Sequence, residues 1–470
     1  MDKPTRAIVD YATQLSFDSL SPAQVASTVR HLVDTVACGL GGYTSEPARG
    51  ARRLAATGSS SMGASVLGMP GLSTPEYAAF ANAVMVRYLD YNDTGPAGHA
   101  SDQTPGVLAV AEPIHSSGRD VVRSVFAMYE VVASLARNGA HFFDLRMAGV
   151  DQVWSSVGAA VGAGMVLGLT PEQLANAISL ALVPNVPLRV TRTGVISDWK
   201  GCATAHGVMS GVFAARLAKE GITGPSEPFD GVDGFRRLTG LGPDAMDDIG
   251  QPIDGRSTME ATAFKCFPSE YTSQGLLATI LKMTEGVAVA DIDSIEIGMH
   301  HVGWHEIGGG AGDRDQKWNP STRETADHSL PYLVAAAITD RNITVATFDL
   351  DRVRDPALRP VMNKIEVHHD PELTRQLDDG GLWTSEWPTK IAIRLLDGTV
   401  LQDRSTYPRG GPNNPMTDDE LELKFRSMSD VVMPAEQASR LLDVLWRFDQ
   451  LADVNELTTH FRAFGDGEHS

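Results

Sequence analysis

Lys200 and Lys265 are the residues of this chain whose chemistry is hardest to assign to solubility alone. No lysine occurs between Lys3 and Lys200, so positive charge over that span is carried by arginine. A lysine in SDWKGCATAHG or AFKCFPSEYTSQ therefore calls for a compact ammonium rather than a planar fork. Lys200 opens an Ala-rich helical pattern, where the positive end of the helix dipole disfavours an ammonium unless an anion joins it. That suits a carboxylate-binding group or a base of lowered pKa. Lys265 sits between aromatic residues in a Pro-broken stretch at an expected domain junction, a favoured position for a pocket. The plainer readings are an exposed helix-start lysine and a linker lysine whose stem packs on Phe267.

Three further clusters could do chemistry. In RYLDYNDTGPAGHASDQTPG, Asp90 and Asp93 lie three apart near an expected helix end and so share a face. Gly95-Pro96 breaks the helix, and His99 is presented from the loop with Ser101 and Asp102, an arrangement fit for acid/base work or, more plainly, a solvated polar turn. In Arg323-Glu-Thr-Ala-Asp-His328-Ser-Leu-Pro-Tyr332, Arg323 could clamp a carboxylate, and His328 and Tyr332 fall one helical turn apart if the helix has begun. His300, His301, His305 and Glu306 could suggest a metal. However, His300 and His301 end an expected strand and would point to opposite faces, so no metal site is expected. Phosphate-loop and dinucleotide fingerprints are missing, as is the signature of a nucleophilic Ser or Cys.

The elements that must position these groups change character along the chain. Ser21-Pro22 starts a helix with Val25, Val29, Leu32, Val33 and Val36 on one face; capping boxes are expected at Ser73-Thr-Pro-Glu76 and Thr170-Pro-Glu-Gln173. Gly158 and Gly162 would let two helices approach closely. From about residue 290 the period shortens to two at Ile295, Ile297 and Met299, at Ile365, Val367 and His369, and at Ile391, Ile393 and Leu395. The last run leads into an Asp397-Gly398 hairpin. HSLPYLVAAAITD reads as a helix between the first two strands, and Thr417 caps a returning C-terminal helix. The expected fold is mainly α: a large all-helical domain built from both termini (1–268 and 408–470) and a smaller α+β lid domain (269–407).

Composition narrows the partners. A net charge of −20 argues against nucleic acid and anionic membrane, both of which demand clustered Lys and Arg. An anionic substrate needs a locally positive pocket instead. Cys38, Cys202 and Cys266 are odd in number and form no C-x-x-C pair, which fits a reducing cytoplasm. The N-terminal MDKPTRAIVD lacks the apolar core of a signal peptide, and no run reaches the roughly 20 apolar residues of a membrane span.

LVDTVACGLGG, YLDYNDTGPAGHASD, SDWKGCATAHGVMSGVFAARLAKEGITGP, KCFPSEYTSQ, KWNPSTRETADHSLPY and YPRGGPNNPMTDDELELKF follow one another in order from about residue 30 to 430. Together they resemble the 2-methylcitrate dehydratase (MmgE/PrpD) family. The resemblance implies a cofactor-independent enzyme, usually a homodimer, with a small carboxylic acid as its substrate and dehydration, decarboxylation or epimerisation as its reaction. It also implies a polar cleft containing Asp90, Thr94, His99, Lys200, Lys265 and Tyr332. The expected catalytic set is Asp90, His99, Lys200, Lys265 and Tyr332, with Asp93, Thr94, Glu270, Arg323 and His328 binding substrate. The decarboxylase branch resembles Lys-x-Phe-Pro-x-His at the hinge, where this chain has Glu270, and is apolar where this chain has His328. Both departures favour the dehydratase-like branch. All three reactions generate a carbanion beside a carboxylate, and two ammonium groups fixed in a closed cleft would stabilise the resulting enolate.

Overall fold

The structure is a computed structural model that describes residues 1–136, 150, 152–192, 195–240, 248–380 and 386–462. The described residues are mainly helical and form two small sheets. It divides into two compact units, one comprising Met1–Thr191, Gly201–Thr262 and Thr417–Ser470, the other Arg192–Lys200 and Ala263–Met416. Among the described residues no helix is long and apolar enough to cross a membrane.

The first unit packs helices around an apolar interior. Pro22–Gly42 begins with a complete capping box: Gln24 N–H donates to Ser21 Oγ at 3.2 Å and Ser21 N–H to Gln24 Oε1 at 2.8 Å. Its apolar stripe of Val29, Leu32, Val33 and Val36 is buried, each side chain contributing about 1.5–3 kcal/mol. Thr170 closes the same kind of box with Gln173, and Thr417 with Glu420. The box expected at Ser73 does not form. Thr74 is the N-cap of Pro75–Tyr88 and makes no side-chain cap bond, because Ser73 lies in strand β2 (Leu72–Ser73, paired with β1, Ser59–Ser65) and its hydroxyl donates to Ala55 O. Gly162, in Trp154–Val166, lies against Thr104–Ala111; a Cβ there would stand 2.7 Å from Val107 Cγ2, so only glycine permits this approach.

The second unit holds a four-stranded sheet in the order β4-β3-β5-β6 (β3 Ile292–Met299, β4 Ile365–His369, β5 Thr389–Leu395, β6 Val400–Ser405). β3 runs parallel to β4, with Ile295 opposite Ile365, and antiparallel to β5, with Ile297 opposite Ile391. The Asp397-Gly398 turn joins β5 to β6, closed by Leu395 N–H donating to Thr399 O at 2.8 Å. The helix Leu330–Asp340 connects β3 to β4, and its Tyr332, Leu333 and Ala336 share a core with Leu276, Leu277, Ile295, Ile297, Ile391 and Ile393. β3 stops at Met299, and His300 is the N-cap of His301–Ile307, its Nδ1 accepting from Gly303 N–H at 3.2 Å. Burial, and secondarily His301 and His369, lower the His300 pKa to about 3, so this ring is a neutral cap.

Candidate functional site

In the first unit, chemistry gathers where the helix Pro75–Tyr88 ends. Arg87 faces the interior of an apolar run and is only 2 % exposed, so its guanidinium must find anions. It donates to Asp90 Oδ1 and lies 3.5 Å from Asp102 Oδ2. Asp90 follows the helix in the left-handed region, at φ 50°. The two aspartates expected on one helical face are therefore separated: the helix closes at Tyr88, and the reversal at Asp90 sends Asp93 elsewhere.

Asp93 is fully buried and accepts from Ser101 Oγ at 2.5 Å and from Tyr129 Oη at 2.6 Å, while His31 Nδ1 lies 2.8 Å from its Oδ2. Burial pushes the Asp93 pKa up, but His31, then Ser101 and Tyr129, outweigh it and hold the carboxyl below its usual range. Lys424 grips the same segment, donating to Tyr91 O at 2.8 Å and lying 2.6 Å from Asp34 Oδ1. Asn92 donates to Ser101 Oγ and Asp102 Oδ1. The outcome is a rigid mount for His99, whose Nδ1 is 2.7 Å from the backbone O of Asp93. A carbonyl oxygen only accepts, so Nδ1 carries the hydrogen and Nε2 is the basic nitrogen of the neutral ring. Asp90 Oδ1 stands 3.8 Å from that Nε2, near enough to favour the imidazolium that proton uptake would create. Thr94 is half-buried and immediately precedes the Gly95–Gly98 bridge.

In the second unit the organising residue is Asp327, which is fully buried. Lys200 Nζ donates to both of its oxygens, at 2.8 and 2.9 Å; Arg323 donates to Oδ2 at 3.1 Å, and His328 Nδ1 lies 2.6 Å from Oδ1. Burial alone would raise the Asp327 pKa, but Lys200, His328 and Arg323 hold it below the ordinary range. The anion that a lysine at a helix start requires is thus supplied within the chain. His328 precedes the helix, whose N-cap is Ser329, so it does not stack one turn below Tyr332 as expected. The Tyr332 hydroxyl donates to Thr347 O inside the core, and its ring lies against Phe348.

Lys265 is 1 % exposed and is held by its neighbours' backbone bonds. Phe264 N–H donates to Gly410 O at 3.0 Å, and Cys266 and Phe267 N–H both donate to Gln274 Oε1. Gly410 has φ 90°, and a Cβ on it would stand 2.1 Å from Phe264 O, which explains the glycine in YPRGG. Glu270 caps the next turn by accepting from Thr272 N–H at 2.8 Å, and its own N–H donates to Asp327 O at 3.0 Å. Burial raises the Glu270 pKa; Thr272 and the Lys265 ammonium only partly oppose this.

The structure therefore brings Lys200, Arg323 and His328 together through Asp327, links Lys265 electrostatically to Glu270, and sets Asp90 beside His99. It assigns Asp93 and Tyr332 to buried bonds of their own. Sequence reasoning did not single out Arg87, His31, Tyr129, Lys424, Gln274 or Asp327. Arg87 and His31 carried a readable signal, since each is a polar group within an apolar helical run.

Residues 6–246 match the family model described as the MmgE/PrpD N-terminal domain, and residues 267–450 match the MmgE/PrpD C-terminal domain. The chain is 28 % identical to the 2-methylcitrate dehydratase of Escherichia coli K12, the alignment covering 94 % of this chain and 93 % of that protein. It is 25 % identical to human cis-aconitate decarboxylase, over 95 % of this chain and 92 % of that one. The probable 2-methylcitrate dehydratase of Saccharomyces cerevisiae is 26 % identical, over 87 % and 82 %.

Proposed function

Because this chain belongs to the MmgE/PrpD family, we propose that it is a hydro-lyase that takes a proton α to a carboxylate and eliminates water from a citrate-like acid, with 2-methylcitrate as its substrate. The observation that carries this reading is the tautomer of His99. Its Nδ1–H is committed to the Asp93 carbonyl, which makes Nε2 the proton acceptor, and Asp90 stabilises the charged ring that results. Removing the α proton leaves negative charge that spreads into the adjacent carboxylate. Lys265, buried and rigidly mounted, is the ammonium assigned to that charge; a donor fixed in advance stabilises it without reorganisation. Lys200, with its ammonium on Asp327, acts through that carboxylate.

The second reading, a cis-aconitate-type decarboxylase, is supported by the 25 % identity to the human enzyme. Glu270 and His328 weigh against it, because these are the positions at which the sequence departs from that branch. The proposed reaction needs no cofactor, and we propose a homodimer. Incubation with 2-methylcitrate, citrate and cis-aconitate in heavy water, followed by proton NMR, tests the reading. Loss of the α-proton signal with appearance of the unsaturated acid is the expected result. Carbon dioxide release would indicate the decarboxylase, exchange without elimination an epimerase, and binding without turnover a non-catalytic homologue.

A further inference from the structure

Elimination needs two proton transfers, one from carbon and one to the departing hydroxyl. His99 accounts for the first. Tyr332, a member of the expected catalytic set, has a hydroxyl that is bonded to Thr347 O within the apolar core, which leaves the second transfer without a donor there. We propose that an Asp327–His328 dyad supplies the second transfer, with Asp327 as the positioning residue and His328 as the acid; this inference rests on the lyase reading.

The geometry is that of an oriented imidazole. Asp327 has no hydrogen to give, since Lys200, Arg323 and His328 all donate to it and together hold its pKa low. Lys200 Nζ also lies 3.2 Å from His328 Nδ1, but it donates at shorter range to both Asp327 oxygens; the 2.6 Å approach of Nδ1 to the acceptor Oδ1 therefore puts the hydrogen on Nδ1 and leaves Nε2 as the nitrogen that exchanges a proton. The two flanking cations offset the cost of burying the carboxylate. They leave the cluster of Lys200, Arg323 and Asp327 with one net positive charge, suited to a region that receives a polyanion. In the step itself the electron pair of the enolate forms the carbon–carbon double bond while the carbon–oxygen bond breaks. The oxygen takes the Nε2 proton of imidazolium His328 and leaves as water, and the ring returns to its neutral form with Nδ1–H still on Asp327.

His328→Asn tests this, because the amide can keep a donor on Asp327 while removing the acidic nitrogen. The probes are 2-methylcitrate and its analogue with fluoride in place of the departing hydroxyl, since fluoride needs far less help from a proton. Relative to wild type, the variant should lose about 100-fold or more in water elimination, the usual contribution of a general acid, while fluoride release and α-proton exchange in heavy water stay within about three-fold. Equal losses with both leaving groups would overturn the acid role. Wild-type inactivity toward both probes would overturn the lyase reading, and with it the role assigned to the dyad. A readout independent of turnover separates the two failures: proton NMR should show a strongly deshielded His328 Nδ1 proton that disappears in Asp327→Asn. Its absence in wild type would overturn the dyad itself.

Discussion

His99 Nδ1 lies 2.7 Å from the backbone carbonyl oxygen of Asp93, while the Asp93 side chain is bound by Ser101, Tyr129 and His31. One residue therefore serves two ends. Its carboxylate anchors a turn in the interior, and its carbonyl sets which nitrogen of the neighbouring histidine is basic.

The anchor can be weakened alone. Tyr129→Phe removes one bond to a buried carboxylate and should lower stability by about 2 kcal/mol in urea unfolding. Unchanged stability would mean that the Tyr129 hydroxyl contributes nothing to holding Asp93.

Asp93 also predicts a pH dependence. Its folded pKa is depressed, so its contribution to stability is complete above the unfolded value of about 3.9 and is lost as pH falls through the folded value. Between pH 5 and 3, wild type should lose stability more steeply than Asp93→Asn, by at most about 1.4 kcal/mol per pH unit. Urea unfolding at intervals across that range reads the difference. Parallel curves would show that Asp93 titrates alike in both states.

Tyr332→Phe separates packing from chemistry. The hydroxyl's partner is Thr347 O, so the variant should lose about 1 kcal/mol of stability and keep kcat within about three-fold. A fall in kcat of about 100-fold would give Tyr332 the role of the acid.

Lys265→Met should lower kcat by several orders of magnitude with the fold intact, because the ammonium is assigned to charge that develops during reaction. It should also raise the Glu270 pKa further, since Lys265 opposes the effect of burial on that carboxyl. Near-normal turnover in a folded variant would remove Lys265 from the reaction.

What was legible in the sequence was local. The boxes at Ser21, Thr170 and Thr417 and the Asp397-Gly398 hairpin are each decided within a few residues, and they form. Ser73 failed as a cap because β-pairing claimed it and its hydroxyl found Ala55 O, a partner 18 positions away. Asp90 and Asp93 diverge because the chain reverses at Asp90 one residue past the helix cap. A lysine at the helix start in SDWKGCATAHG calls for an anion, but the anion is Asp327, 127 residues on, and nothing in ETADHS distinguishes that carboxylate from a solvated one. The same holds for Lys424, whose acceptor Tyr91 O is 333 residues away. Long-range ion pairs leave no periodicity to read.

His99 is the proposed acceptor of the α proton. This role is tested most directly by the rate at which His99→Gln exchanges the α proton of 2-methylcitrate in heavy water, measured by proton NMR against wild type. Exchange and elimination should both fall by about 100-fold or more in a variant that remains folded. Exchange at the wild-type rate would contradict it.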